Sequence, residues 1–231
     1  MRTMTMQTGL LLGSIAAAVT GCSAGNSDHQ SGALTPTSLI GASAEAAQHF
    51  TAAVSTHPSQ GPVMVVPGAE ASLVTNDAGA HLRLTTSGLA PGHPHTVWFV
   101  AINDPDQCSA RPCTPVDILV NSAAVKSEVT FAAGNIVGGD GSATFAGMVR
   151  AGAVPDGWFG NGLSNPRGAE IHLIVQDHGP KIAGLVANQL STVRGGCTDA
   201  SLPVLYPPAA FADGIPGPNT CRLRQFAIFQ Q

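Results

Sequence analysis

Thr96-Val97-Trp98-Phe99-Val100-Ala101-Ile102 sets apolar side chains on both faces of an extended chain, so a strand formed here belongs in the middle of a sheet. The same short-run pattern continues on either side. His81-Leu82-Arg83-Leu84-Thr85 alternates, as a strand with one wet face does. Ala169-Glu170-Ile171-His172-Leu173-Ile174-Val175 reads as another strand, and Arg224-Gln225-Phe226-Ala227-Ile228-Phe229 as one that closes the sheet at the C-terminus. Asn135 to Val137 and Ala143 to Val149 flank Gly138-Gly139-Asp140-Gly141, whose Asp-Gly step favours a tight hairpin. From Pro62 onward Gly, Pro, Asn and Asp separate such runs at fairly regular spacing, which predicts an all-β sandwich or barrel over residues 62–231. No long amphipathic helix and no internal repeat interrupts it.

The N-terminus follows a different logic. Arg2 is the only charge before Asp28, and an apolar run from Gly9 to Val19 follows it. That run is about half of the roughly 20 residues a membrane span needs, so it reads as a secretory signal. It ends in Val19-Thr20-Gly21-Cys22, which resembles the lipobox of bacterial lipoproteins. The resemblance implies a signal peptide over 1–21, cleavage before Cys22, lipidation of its thiol and acylation of the new amine. Together the acyl chains would anchor the protein to a membrane. Ser23 after the cysteine implies the outer membrane where the organism has two. Residues 22–61, rich in Ser, Ala, Thr, Gly and Gln, read as a flexible tether. Within it, Ser43 to Ala53 is expected to form a short helix.

Composition narrows the partners. Only 10% of residues are charged, the net charge is −4, and no basic run exists, so nucleic acid is excluded as a partner. With Cys22 set aside, an even set of cysteines remains: Cys108, Cys113, Cys197 and Cys221. In an oxidising compartment these are expected as the disulfides Cys108–Cys113 and Cys197–Cys221. A zinc site is the rival use, but the second pair lacks the short spacing that such sites employ.

Histidines are the one concentrated source of chemistry. Gly88-Leu89-Ala90-Pro91-Gly92-His93-Pro94-His95 runs straight into the central strand. Further on, Glu170 and His172 share one face of their strand while Ile171, Leu173 and Val175 share the other. A carboxylate beside an imidazole serves as an acid/base pair or as two metal ligands. Equally, Arg167 can reach back to Glu170 as a charge-assisted donor. Arg167, Glu170 and His172 then form a structural polar cluster. His178-Gly179-Pro180 reads as the turn ending that strand. As metal ligands, His93, His95, His172 and His178 are the candidates, with His81 as a further one, and copper or zinc the metals.

The Gly-Leu-x-Pro-Gly-x-x-His pattern at 88–95 resembles the loop-to-strand passage of copper/zinc superoxide dismutases and of chordin-type β domains. That resemblance implies a Greek-key-like antiparallel β-sandwich, and it gives His93 and His95 the role of the His-x-His pair that begins the copper site. The sequence departs from the pattern in two ways. Pro94 places the pair in the loop or at the first strand residue, and no histidine occurs from Thr96 to Ile171. A wider set of segments, Trp98 to Pro105, Ala132 to Gly141, Asn165 to Leu173, His178 to Pro180, Cys197, Cys221 and Gln225 to Ala227, resembles a family of uncharacterised exported bacterial and archaeal proteins. The expected function is accordingly a membrane-anchored extracytoplasmic lipoprotein of the cell envelope. No catalytic residue is assigned. Its domain binds a protein or small ligand and needs no cofactor; the alternative is a periplasmic, dismutase-like protein that holds copper or zinc.

Overall fold

A computed structural model describes residues 46–231. The expected signal peptide 1–21, Cys22 and the expected tether as far as residue 45 lie outside the described residues. Among those described, eight strands form one antiparallel sheet: β1 (Gln48–Thr56), β2 (Val65–Asn76), β3 (Gly79–Thr86), β4 (Pro94–Ile102), β5 (Ser127–Ile136), β6 (Ala143–Arg150), β7 (Glu170–Asp177) and β8 (Arg222–Phe229). Their order is β5-β4-β7-β8-β1-β2-β3-β6. The all-β expectation is met, and each strand read from the sequence falls within one of these, overrunning it by at most one residue at an end (Val137 and Ala169).

The sandwich gives way to a nearly closed barrel. Its two would-be sheets, β5-β4-β7-β8 and β1-β2-β3-β6, are joined on one side by the pairing of Ser55 with Phe226 and Thr56 with Gln225. On the other side the end strands β5 and β6 curl together until Asn135 Nδ2 donates to the Thr144 carbonyl at 3.0 Å. A Cβ on Gly147 would sit 2.1 Å from the Ala132 carbonyl oxygen, so only glycine permits that approach. The predicted turn joins the same two strands, with Gly138 N–H donating to the Ser142 carbonyl at 3.0 Å. Strand β7 returns through residues 151–169 to lie beside β4, a Greek-key connection.

The barrel interior takes every second residue: Val97, Phe99 and Ala101 of β4, Ile171, Leu173 and Val175 of β7, Leu73, Leu84, Phe145 and Phe229. Full burial of a side chain such as Phe99 stabilises the fold by about 2 kcal/mol. The residues between them on β4, Trp98, Val100 and Ile102, are buried too, against Ile118, Val125, Val129 and Trp158 on the outside of the wall. Strand β4 is thus apolar on both faces because two layers cover it.

One local expectation fails. Residues 48–56, placed in the tether and partly in a short helix, form β1. Ala-rich composition favours helix locally, but Phe50, Ala52 and Val54 recur with a period of two and pack on the interior, and the strand pairs with β2 from Gln48↔Thr75 to Ala53↔Glu70. Tertiary pairing overrides the propensity, and the start of the domain moves back into the expected tether.

Candidate functional site

On the outer face of β4, β7 and β8 the side chains of Trp98, Val100, His172, Ile174, Gln176, Phe226 and Ile228 floor a groove of about 750 Å³. Its walls come from three long connections, Cys113, Ile118 and Leu119 from the first, Trp158 from the second, Leu202 and Tyr206 from the third, and from His57 to Gln60 between β1 and β2. Each is held by polar contacts beneath it. Thr114 and Asp117 cap the short helix Pro115–Leu119 reciprocally, Thr114 N–H donating to Asp117 Oδ2 at 2.9 Å and Asp117 N–H to Thr114 Oγ1 at 3.3 Å. The hydrogen bonds of Thr114 and Ser109 bring the Asp117 carboxyl down to about 2. Trp158 is placed by the buried Glu128, whose carboxylate accepts from Phe159 N–H at 2.9 Å and Gly162 N–H at 2.9 Å. The rings of Trp98 and Trp158 lie 5.7 Å apart, and Tyr206 meets Trp158 edge-on at 4.8 Å. The result is an aromatic wall over an aliphatic floor.

His172 lines the groove, and Glu170 is paired with it on the same face of β7. His172 Nε2 lies 2.7 Å from Glu170 Oε1, and because an ionised carboxylate only accepts, the proton is on Nε2. Cys113 N–H donates to the same oxygen at 2.6 Å, and Arg111 Nε to Oε2 at 3.1 Å. Burial alone would raise the Glu170 carboxyl, but the hydrogen bonds of His172 and Cys113 outweigh it and hold the group below its ordinary value. The polar cluster therefore forms, with one change of membership. The guanidinium on Glu170 is that of Arg111, carried over by the cystine loop, while Arg167 donates to Asp77 Oδ1 at 2.6 Å and to the Ala46 carbonyl at 3.0 Å. Arg111 stood in plain view inside Cys108–Cys113, but no sequence rule connects it to a residue 59 positions away.

Glu170→Gln should lower unfolding free energy by about 1–3 kcal/mol, since an amide cannot accept from all of these donors. A folded-state carboxyl below its ordinary value stabilises above the unfolded value near 4.5 and loses that contribution as pH falls through the folded one. The variant's disadvantage should therefore shrink in acid. Urea titrations at neutral and acid pH check this, and equal stability of the two proteins at neutral pH refutes it.

The candidate metal ligands fall in separate places. His93 Nδ1 lies 2.9 Å from Asp177 Oδ1, and the fully buried His95 points its Nε2 toward the same oxygen at 3.9 Å, inside one end of the barrel. His172 pairs across with Val100 while Asp177 pairs with His95, so the two groups lie roughly 16 Å apart along the strand at about 3.3 Å per residue. His81 is exposed on β3. His178 is used up: its Nδ1 donates to the Gly195 carbonyl at 2.9 Å, and its Nε2 accepts from Thr96 Oγ1 at 2.9 Å. Among the described residues, the one group of His, Cys, Asp or Glu side chains close enough to share an ion is His178 with Cys197 and Cys221, whose sulfurs are bonded to each other. Among the described residues, no three of the candidate histidines lie close enough together to share an ion. Both expected disulfides, Cys108–Cys113 and Cys197–Cys221, are formed.

Fold and site together define a disulfide-stapled antiparallel barrel with an apolar groove on the outside of its wall. Comparison with models of protein families, with curated proteins and with solved structures returns no match for this chain.

Proposed function

We propose that this chain is an extracytoplasmic binding protein, lipid-anchored at Cys22 in the cell envelope, that holds a small and largely apolar molecule in the groove over β4, β7 and β8. The groove carries the reading. Its volume, about 750 Å³, falls in the range of small-molecule sites, and its lining is predominantly aliphatic and aromatic with few polar groups. The groove's lip is apolar as well, with Val204 95% exposed. No carboxylate lines it among the described residues. Glu170 does not line the groove and is bound by four donor residues, which favours a structural role over acid/base work. The lipobox-like Val19 to Cys22 and the paired cysteines support the location.

N-phenyl-1-naphthylamine, a neutral apolar fluorophore, should bind saturably with one site per chain. Trp158→Ala should weaken it about tenfold by removing an aromatic face from the contact. Absence of saturable binding overturns the groove reading. An unmodified Cys22 in the mature protein by mass spectrometry overturns the anchor.

A further inference from the structure

Resting on that reading, we infer that the mouth of the groove docks on a membrane surface and that the groove takes up an acyl chain of a membrane phospholipid. What carries this is where the exposed apolar side chains sit. Among the described residues, ten large apolar side chains are exposed, and seven of them belong to the groove's walls or directly flank them. Val204, 95% exposed, and Leu205 line the groove themselves. Val116 stands between Pro115 and Ile118 on the short helix of the first wall, and Val120 follows Leu119. Residues 63–65 lie beside the wall made by His57 to Gln60. There Met64 N–H donates to Thr56 Oγ1 at 2.9 Å, and Thr56 N–H to the Met64 carbonyl at 2.8 Å.

Single apolar residues scattered over a surface need no explanation, but their concentration around one opening marks contact with something apolar. A small ligand inside the groove would leave these outer side chains in water. A hydrocarbon phase covers them and fills the groove together. The floor asks for nothing more, since Val100, Ile174, Phe226 and Ile228 are satisfied by hydrocarbon alone. Charge suits a phospholipid as well. Of the Asp, Glu, Lys and Arg residues, the one that lines the groove is Arg222, an exposed cation that complements a headgroup phosphate.

The proposed anchor brings that partner within reach. The expected tether, residues 22–45, would span roughly 27 Å root-mean-square as a flexible chain. A domain of this length has a radius of gyration of about 16 Å. The mouth is thus held within about a domain's width of the bilayer, where docking becomes an intramolecular event at high effective concentration.

The test uses residues 22–231 with Cys22→Ser, which removes the anchor, and vesicles of 1-palmitoyl-2-oleoyl-phosphatidylcholine. The protein should float with the vesicles at low and at high salt, since apolar contact is not screened. Met64→Asp and Val120→Asp place a charge beside the mouth without altering the lining. Each should lower the partition coefficient about tenfold, yet bind N-phenyl-1-naphthylamine within about twofold of the parent. Met148→Asp, equally exposed but on β6, which contributes nothing to the groove, should float like the parent. Trp98 and Trp158 are the protein's two tryptophans and both line the groove, so the same lipid brominated on its acyl chain should quench their emission. Vesicle binding without quenching overturns uptake of the acyl chain. Equal loss in all three variants, or in none, overturns the docking surface. A dimer in sedimentation that Met64→Asp dissociates puts a second copy on the mouth and overturns the membrane as its occupant. If the probe binds and vesicles do not, membrane docking falls while groove binding stands; if neither binds, the groove reading falls with it.

Discussion

Acidification from pH 6.5 to about 4 should remove roughly 3 kcal/mol of folding stability through His178 alone. The cause is a directed chain of hydrogen bonds. The Gly195 carbonyl can only accept, so His178 carries its proton on Nδ1 and offers Nε2 as an acceptor to Thr96. The Thr96 hydroxyl gives its hydrogen to that nitrogen, and its oxygen in turn receives the Trp98 indole N–H at 2.9 Å. Every donor in the chain faces an acceptor only while the imidazole is neutral. A second proton would arrive at Nε2 in a fully buried site whose neighbour already points a hydrogen at it. Burial, with the nearby His95 acting in the same sense, brings His178 down to about 4 from its usual 6.5. Above pH 6.5 both folded and unfolded chains are neutral at this residue and the contribution is complete. Below it the unfolded chain takes up a proton that the folded chain refuses, so stability falls with pH until the folded value is reached. His95, lowered chiefly by burial, adds a loss of the same sign. This window lies mostly above that of Glu170, so the two are separable. Urea midpoints measured at pH steps from 7.5 to 4 read the loss, and the His178 ring resonances should stay in the neutral form at pH 5.5. A flat stability profile, or His178 titrating near its ordinary value, refutes the argument.

The chain that holds His178 illustrates what was open to sequence reading. Strands β4 and β7 were legible because their patterns are set by burial, which acts residue by residue. Apolar side chains on both faces of β4 placed it in the middle of a sheet, and Trp98, Val100 and Ile102 meet a second layer outside that sheet. Glu170 and His172 were likewise placed together by period alone. Strand β1 was obscured because its inward residues, Phe50, Ala52 and Val54, are mostly small or half-buried, and only pairing with β2 decides their conformation. The groove left no sequence trace. Its floor comes from β4, β7 and β8, while Trp158, Leu202 and Tyr206 arrive from connections whose paths follow from topology. A lone tryptophan in a loop carries no signal about its neighbours. The barrel-like closure was hidden for a similar reason, since it rests on a two-residue pairing between β1 and β8 and on one glycine between β5 and β6.

Loss of the Cys197–Cys221 bridge should cost roughly 3 kcal/mol, more than loss of Cys108–Cys113. The first joins residues 24 apart and the second residues 5 apart, and a cross-link restricts the unfolded chain more when it closes a longer loop. The longer loop has little regular structure of its own. It relies on a small cluster of Cys197, Leu202 and Cys221 with Tyr206 and Phe211 packed against it. The same bridge also anchors the polar layer, since Cys197 is adjacent to Gly196 and Gly195, and Gly195 supplies the carbonyl that fixes His178. Tyr206 and Leu202 line the groove, so loosening this segment should reach the binding site as well. The shorter bridge acts elsewhere: it carries Arg111 and the Cys113 N–H to Glu170, and its loss should be felt there. The comparison is between Cys197→Ala with Cys221→Ala and Cys108→Ala with Cys113→Ala, each unfolded in urea at pH 7.5 and titrated with N-phenyl-1-naphthylamine. The expected result is the larger stability loss, together with weakened probe binding, in the first variant. A larger loss in the second, or full probe affinity in the first, would show that the groove wall holds itself in place without its staple.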